Sequence, residues 1–125
     1  MKLVSVKGHV ELVNENNNWI LSKETGFSPL ETLIAATAAC STYVYLGILD
    51  KQRIDCTLQS VHVDYERNED QELCPVSEIN IQFLLSVDSA NETKATKDLQ
   101  LIAKNCTVAR SLNPEIKVVE SVQFV

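Results

Sequence analysis

The chain has 125 residues, 45% of them hydrophobic, which predicts one domain over residues 1–125 with a real core, yet small enough to gain from oligomerisation. Eleven basic residues against seventeen acidic ones give a net charge of -6 with no basic stripe, which argues against nucleic acid or an anionic membrane as partner. The N-terminal stretch MKLVSVKGHVELV is broken by charge, with neither a signal-peptide core nor a spanning run, so the expected location is the cytosol.

Taken in order, Val4, Val6, Val10 and Leu12 alternate with polar residues around Lys7-Gly8 and predict two short strands meeting at a glycine turn. Asn14 to Asn18 is a turn or loop, Trp19-Ile20-Leu21 a third strand, and Lys23 to Phe27 leads through Gly26 into the next element. That element is a helix over Ser28 to Arg53. Ser28 and Glu31 have the spacing of a reciprocal capping box, and Pro29 fits the first helical position. Leu30, Leu33, Ile34, Thr37, Ser41, Val44 and Ile48 recur at three- and four-residue steps, while Ala35, Ala36, Ala38 and Ala39 keep the other sides small and apolar. A helix with so little polar face should be covered all round, which a chain this short cannot do alone. A partner subunit is the expected cover, with Cys40 near the junction.

Lys51, Gln52 and Arg53 follow, the cations lying where the helix dipole favours them. Leu58, Val61, Val63 and Tyr65 predict a strand whose parity changes near Ser60, as at a bulge, and Arg67 to Glu72 a charged turn. Ile79, Ile81, Phe83, Leu85 and Val87 alternate as the second strand of a hairpin. Ser89 to Glu92 reads as a second capping box opening a helix through Ala103. Asn105 then reads as a cap, with Cys106 in the first turn of a short helix from Thr107 to Leu112. Ile116 to Phe124 is the last strand, with Ile116, Val118, Val122 and Phe124 on one face. The order is βββ-α-ββ-α-β, an α+β fold.

Four cysteines, at 40, 56, 74 and 106, show no Cys-x-x-Cys and no paired spacing with His9 or His62, so no metal site is expected and most should be thiols. Cys40 and Cys106 stand out, both on helices beside small residues. A thiolate near a helix N-terminus is stabilised by free amides, which suits Cys106, whereas mid-helix Cys40 would need a neighbouring cation. Plain burial explains such cysteines equally well. Cys56 and Cys74 read as packing residues, the latter at a strand edge before Pro75. Glu31 either orients a nearby guanidinium or simply completes the capping box. Arg110, one turn after Cys106, either supports its thiolate or is a solvated arginine. Tyr43 and Tyr45 are expected to pack and hydrogen-bond at the interface. His9 and His62 lie on strands without a partner legible in the sequence.

The segment Phe27-Ser28-Pro29-Leu30-Glu31 through Ala38-Ala39-Cys40, with Asn105-Cys106-Thr107-Val108-Ala109-Arg110-Ser111-Leu112 further on, resembles the OsmC/Ohr superfamily, in its OsmC-like subgroup. The resemblance covers the whole chain. It implies an intertwined homodimer whose long central helices pack between sheets, with active sites at the subunit interface. It also implies thiol-dependent reduction of organic hydroperoxides in oxidative-stress defence, Cys40 being peroxidatic and Cys106 resolving. No metal or organic cofactor is implied, only an external dithiol reductant. Peroxidase members of the Ohr branch carry an N-terminal arginine held by a glutamate early in the central helix. Here no arginine precedes Arg53, Lys23 is the cation just ahead of the helix, and the acid falls one residue later, at Glu31. A one-residue shift turns a helical side chain by about 100°. Arg53 or Arg110, from either subunit, are the substitutes to be considered. The alternative is a non-peroxidatic OsmC-like protein that binds a small apolar or thiol ligand, or senses redox state, at the dimer interface.

Overall fold

The computed structural model describes residues 1–125, which form two compact units, Met1–Ala35 and Ala36–Val125. In the first unit, β1 (Leu3–Val6), β2 (His9–Leu12) and β3 (Trp19–Ile20) make an antiparallel sheet in that order. Lys7 and Gly8 join β1 to β2 with φ of 50° and 87°, the doubly left-handed turn whose twist matches a two-residue hairpin. His9 Nε2 lies 2.7 Å from Glu11 Oε2, so the histidine does have a partner, two residues along its own strand. Gly26 closes the turn begun at Ser22, donating to its carbonyl at 2.8 Å. A Cβ on Gly26 would stand 2.5 Å from the Ile20 carbonyl oxygen, so no other residue fits without movement.

The long helix α1 (Pro29–Lys51) starts as its sequence predicts. Ser28 Oγ accepts from the Glu31 amide at 3.0 Å, and Glu31 Oε1 accepts from the Ser28 amide at 3.1 Å. In the second unit α1 buries a stripe comprising Thr37, Ala38, Ser41, Tyr45 and Leu49. Tyr45 is a correction: it packs inside this chain, its ring 4.8 Å from that of Phe83 and its hydroxyl donating to the Ala95 carbonyl at 2.7 Å. Ala36, Ala39, Tyr43 and Gly47 form the opposite stripe and are exposed. The helix ends in a Schellman arrangement, with the Ile54 amide bonded to the Leu49 carbonyl and the Arg53 amide to that of Asp50. Arg53 therefore takes the left-handed position usually given to glycine, with φ 58°.

The second sheet runs β4 (Cys56–Arg67), β5 (Val76–Val87), β6 (Lys117–Phe124). β4 and β5 form the expected antiparallel hairpin, with a register shift between Leu58 and Ser60 where the parity change called for a bulge. Ile79, Ile81, Phe83 and Leu85 are fully buried along one face of β5. In the hairpin loop Leu73 and Cys74 both have positive φ, and Arg67 donates to both of their carbonyls. Cys74 is thus a loop residue rather than a strand-edge one. β6 is parallel to β5, so the chain must cross over between them. Glu120 pairs with Ile81 and so shares its face, interrupting the apolar row of Val118, Val122 and Phe124; burial pushes its carboxyl pKa up.

The crossover corrects two expectations. Ser89–Asn91 is a short 3₁₀ turn, and α2 (Glu92–Asp98) follows with no side-chain cap, so the second capping box is not made. After a further 3₁₀ turn at Leu99–Leu101 come α3 (Ile102–Asn105) and α4 (Thr107–Arg110). Asn105 does not cap α4. Its side chain turns back to the Leu101 carbonyl, and Cys106 itself is the N-cap, its sulfur accepting from the Ala109 amide at 3.5 Å.

Candidate functional site

The second unit brings Cys40 and Cys106 together as free thiols, close enough for each to shift the other's pKa. Cys40 comes from the middle of α1 and is half-buried; Cys106 caps α4 and is fully buried. The two sulfurs are in opposite electrostatic states. Burial pushes the Cys40 thiol up, but the Cys106 thiol and the backbone amides of Val108 and Thr107 donate to its sulfur, and the balance leaves its pKa below that of an ordinary thiol. Burial pushes Cys106 up, and so does sharing its proton with Cys40. The Ala109 amide and the Ser41 hydroxyl oppose the rise without cancelling it. Of the two, the more accessible sulfur is thus the one that loses its proton more readily, and the buried one the one that keeps it longer.

Three consecutive amides at the start of α4 divide their work, those of Thr107 and Val108 facing Cys40 and that of Ala109 facing Cys106. Free N–H groups in a first helical turn have no partner within their own helix; the Cys106 sulfur satisfies that of Ala109, and those of Thr107 and Val108 act to lower the Cys40 pKa. The groups that lower the Cys40 pKa are thus a thiol and two amides, with no cation among them. Arg110, the last residue of α4, is exposed. Arg53 lies just past the end of α1, thirteen residues beyond Cys40, about 20 Å along the axis at 1.5 Å per residue, out of reach within one chain. Glu31 and Lys23 belong to the first unit, where the Ser28 amide and hydroxyl, with a smaller contribution from the Lys23 charge, lower the Glu31 pKa.

Two features escaped sequence reasoning. Ser41 lies in the buried stripe, 3.8 Å from the Cys106 sulfur; a serine at an apolar-stripe position was the signal available for it. The amides of Thr107 and Val108 were hidden by assigning the cap to Asn105. In the first unit an apolar cleft of about 490 Å³ lies among Trp19, Ile20, Leu21, Phe27 and Ala35, with Trp19 and Phe27 58% and 68% exposed. No group of three or more His, Cys, Asp or Glu side chains is placed to hold a metal ion.

A family model described as OsmC-like protein matches residues 22–121, and the chain belongs to that family. Among solved structures it is similar to an OsmC-like protein from Mycoplasma pneumoniae, with 20% identity over 99% of this chain and 94% of that one, at a TM-score of 0.78. An OsmC-like protein of unknown function from Vibrio cholerae matches with 18% identity over 94% and 84%, at a TM-score of 0.68. The organic hydroperoxide resistance protein OhrB of Bacillus subtilis matches with 14% identity over 98% and 95%, at a TM-score of 0.63. At these identities the likeness concerns the fold. No protein of curated function matches the sequence.

Proposed function

We propose that the protein reduces organic hydroperoxides with two cysteines, Cys40 attacking and Cys106 resolving. What supports this is the asymmetry of two neighbouring free thiols: Cys40 is half-buried and Cys106 fully buried, and their surroundings push the first pKa down and the second up. A peroxide meets a thiolate first. The Cys40 thiolate attacks the outer peroxide oxygen, the O–O bond breaks, and the alkoxide leaves as alcohol after taking a proton from water. Cys40 is then a sulfenic acid. Cys106 condenses with it, water leaves, and an external dithiol reopens the disulfide by exchange. A proposed cytosolic location would keep such a dithiol available.

A second copy of the chain is part of this reading. Ala36, Ala39, Tyr43 and Gly47 leave an apolar stripe of α1 uncovered beside Cys40, and Tyr43 is 78% exposed. A homodimer closing over that stripe would remove water from the thiolate. Sedimentation of wild type and Tyr43→Glu tests it: wild type should run as a dimer and the variant as a monomer, since like charges facing each other at an interface cost several kcal/mol. A monomeric wild type would end the homodimer proposal.

The enzyme reading is tested by mixing reduced protein with an organic hydroperoxide. Cys40→Ser should abolish consumption, and Cys106→Ser should stop at a sulfenic acid that has gained one oxygen. Reaction of wild type no faster than free cysteine would reject it. The alternative, a protein binding a small apolar ligand without peroxidase chemistry, draws on the apolar cleft at Trp19 and Phe27. It predicts ligand-dependent quenching of Trp19 fluorescence that survives Cys40→Ser.

A further inference from the structure

We propose that the Ser41 hydroxyl is a positioning group for the second chemical step, donating to the Cys106 sulfur and holding it as the thiolate that attacks oxidised Cys40. The inference rests on the two-cysteine reading and assigns a role within it. Ser41 is fully buried, and a hydroxyl removed from water needs a partner. Thr32 and Thr42 on the same helix donate to carbonyls one turn back, of Ser28 and Ala38. Ser41 by contrast reaches, at 3.8 Å, a sulfur 65 residues away in sequence.

The contact matters because of what Cys106 must do. In the resting pair the Cys106 thiol helps to lower the Cys40 pKa, a role that ends once Cys40 carries oxygen. Cys106 must then ionise in a fully buried site, which burial opposes. Two donors already face its sulfur, the Ala109 amide at 3.5 Å and the Ser41 hydroxyl at 3.8 Å. The amide comes with the helix turn; the hydroxyl depends on the residue after the attacking cysteine. In the step itself the Cys106 thiolate forms the S–S bond, the S–O bond of the Cys40 sulfenic acid breaks, and the departing hydroxide takes the proton Cys106 released. The Cys106 sulfur is oxidised as the Cys40 sulfur is reduced, and one water leaves.

The test is single turnover with one equivalent of tert-butyl hydroperoxide, quenched in acid and read by intact mass for wild type, Ser41→Ala and Ser41→Thr. Loss of one hydrogen bond to a charged group should slow disulfide formation in Ser41→Ala about tenfold relative to the oxidation step. The pH midpoint of the disulfide step should move up, and Ser41→Thr, which keeps a hydroxyl, should recover both. An unchanged ratio of the two rates, or an unmoved pH midpoint, overturns the proposal. A second readout needs no turnover: in a Cys40→Ser background, ¹³Cβ NMR titration should show Cys106 ionising at higher pH when Ser41 is also alanine. No shift there also overturns it. Wild type that never forms a sulfenic acid would instead reject the peroxidase reading, leaving the titration to judge the Ser41 contact alone.

Discussion

The two units differ in how far each completes its own burial. In Ala36–Val125 the β5 face of Ile79, Ile81, Phe83 and Leu85 is fully buried, with Tyr45, Leu49 and Ile102 buried as well. In Met1–Ala35 the one buried hydrophobic residue is Ile34, while Leu3, Val10, Trp19, Phe27 and Leu33 are exposed. Both thiols of the candidate site lie in the unit with the closed core, where packing can hold a buried Cys106 beside Cys40. The first unit offers apolar surface still to be covered. The fixed sulfur geometry goes with the closed core, while uncovered apolar surface is found both in the first unit and on the outer α1 stripe of Ala36, Ala39, Tyr43 and Gly47 in the second.

The comparison breaks most readily at Phe83. Phe83→Ala should cost about 3–5 kcal/mol in chemical denaturation, because it empties the centre of a closed core. Trp19→Ala should change the stability of the monomeric chain by no more than about 0.5 kcal/mol, since much of that side chain is in water. Equal losses at the two positions would erase the contrast. Gly26→Ala probes the tightest point of the first unit and should destabilise by about 1–3 kcal/mol, measured in the same way, because its methyl meets backbone. Cys106→Ala should remove the α4 cap at about 1 kcal/mol, whereas Cys106→Ser keeps an acceptor there and should match wild type in thermal melting. That pair separates loss of structure from loss of chemistry. The smallest effect is a gain: Arg53→Gly relieves a left-handed arginine and should stabilise by about 1 kcal/mol or less.

The elements that announce themselves locally were legible in the sequence. Ser28, Pro29 and Glu31 specify the helix start because a capping box is made within four residues, and the alternation over Ile79–Leu85 specifies a strand because its period is two. The crossover was read less well. Asn105 has a strong capping preference, but the turn at Leu99–Leu101 lets its side chain bond backward and leaves the cap to Cys106. At the site, the two cysteines stand out in the sequence by placement and resemblance, and mid-helix Cys40 suggests a cation as its activator. Within one chain the groups lowering the Cys40 pKa are two amides and a thiol, and backbone donors leave no mark in side-chain identity. Ser41 was visible only as one small residue in a buried stripe, because its partner lies far away in sequence.

The most direct test of the account is the pH dependence of Cys40 oxidation by an organic hydroperoxide in the reduced wild-type protein. A depressed pKa places the thiolate form at lower pH, so the rate should rise with pH and level off below the range where free cysteine does. The plateau should also stand far above the free-cysteine rate. A profile that tracks free cysteine in both midpoint and height would contradict the claim that the α4 amides and Cys106 make Cys40 the attacking thiolate.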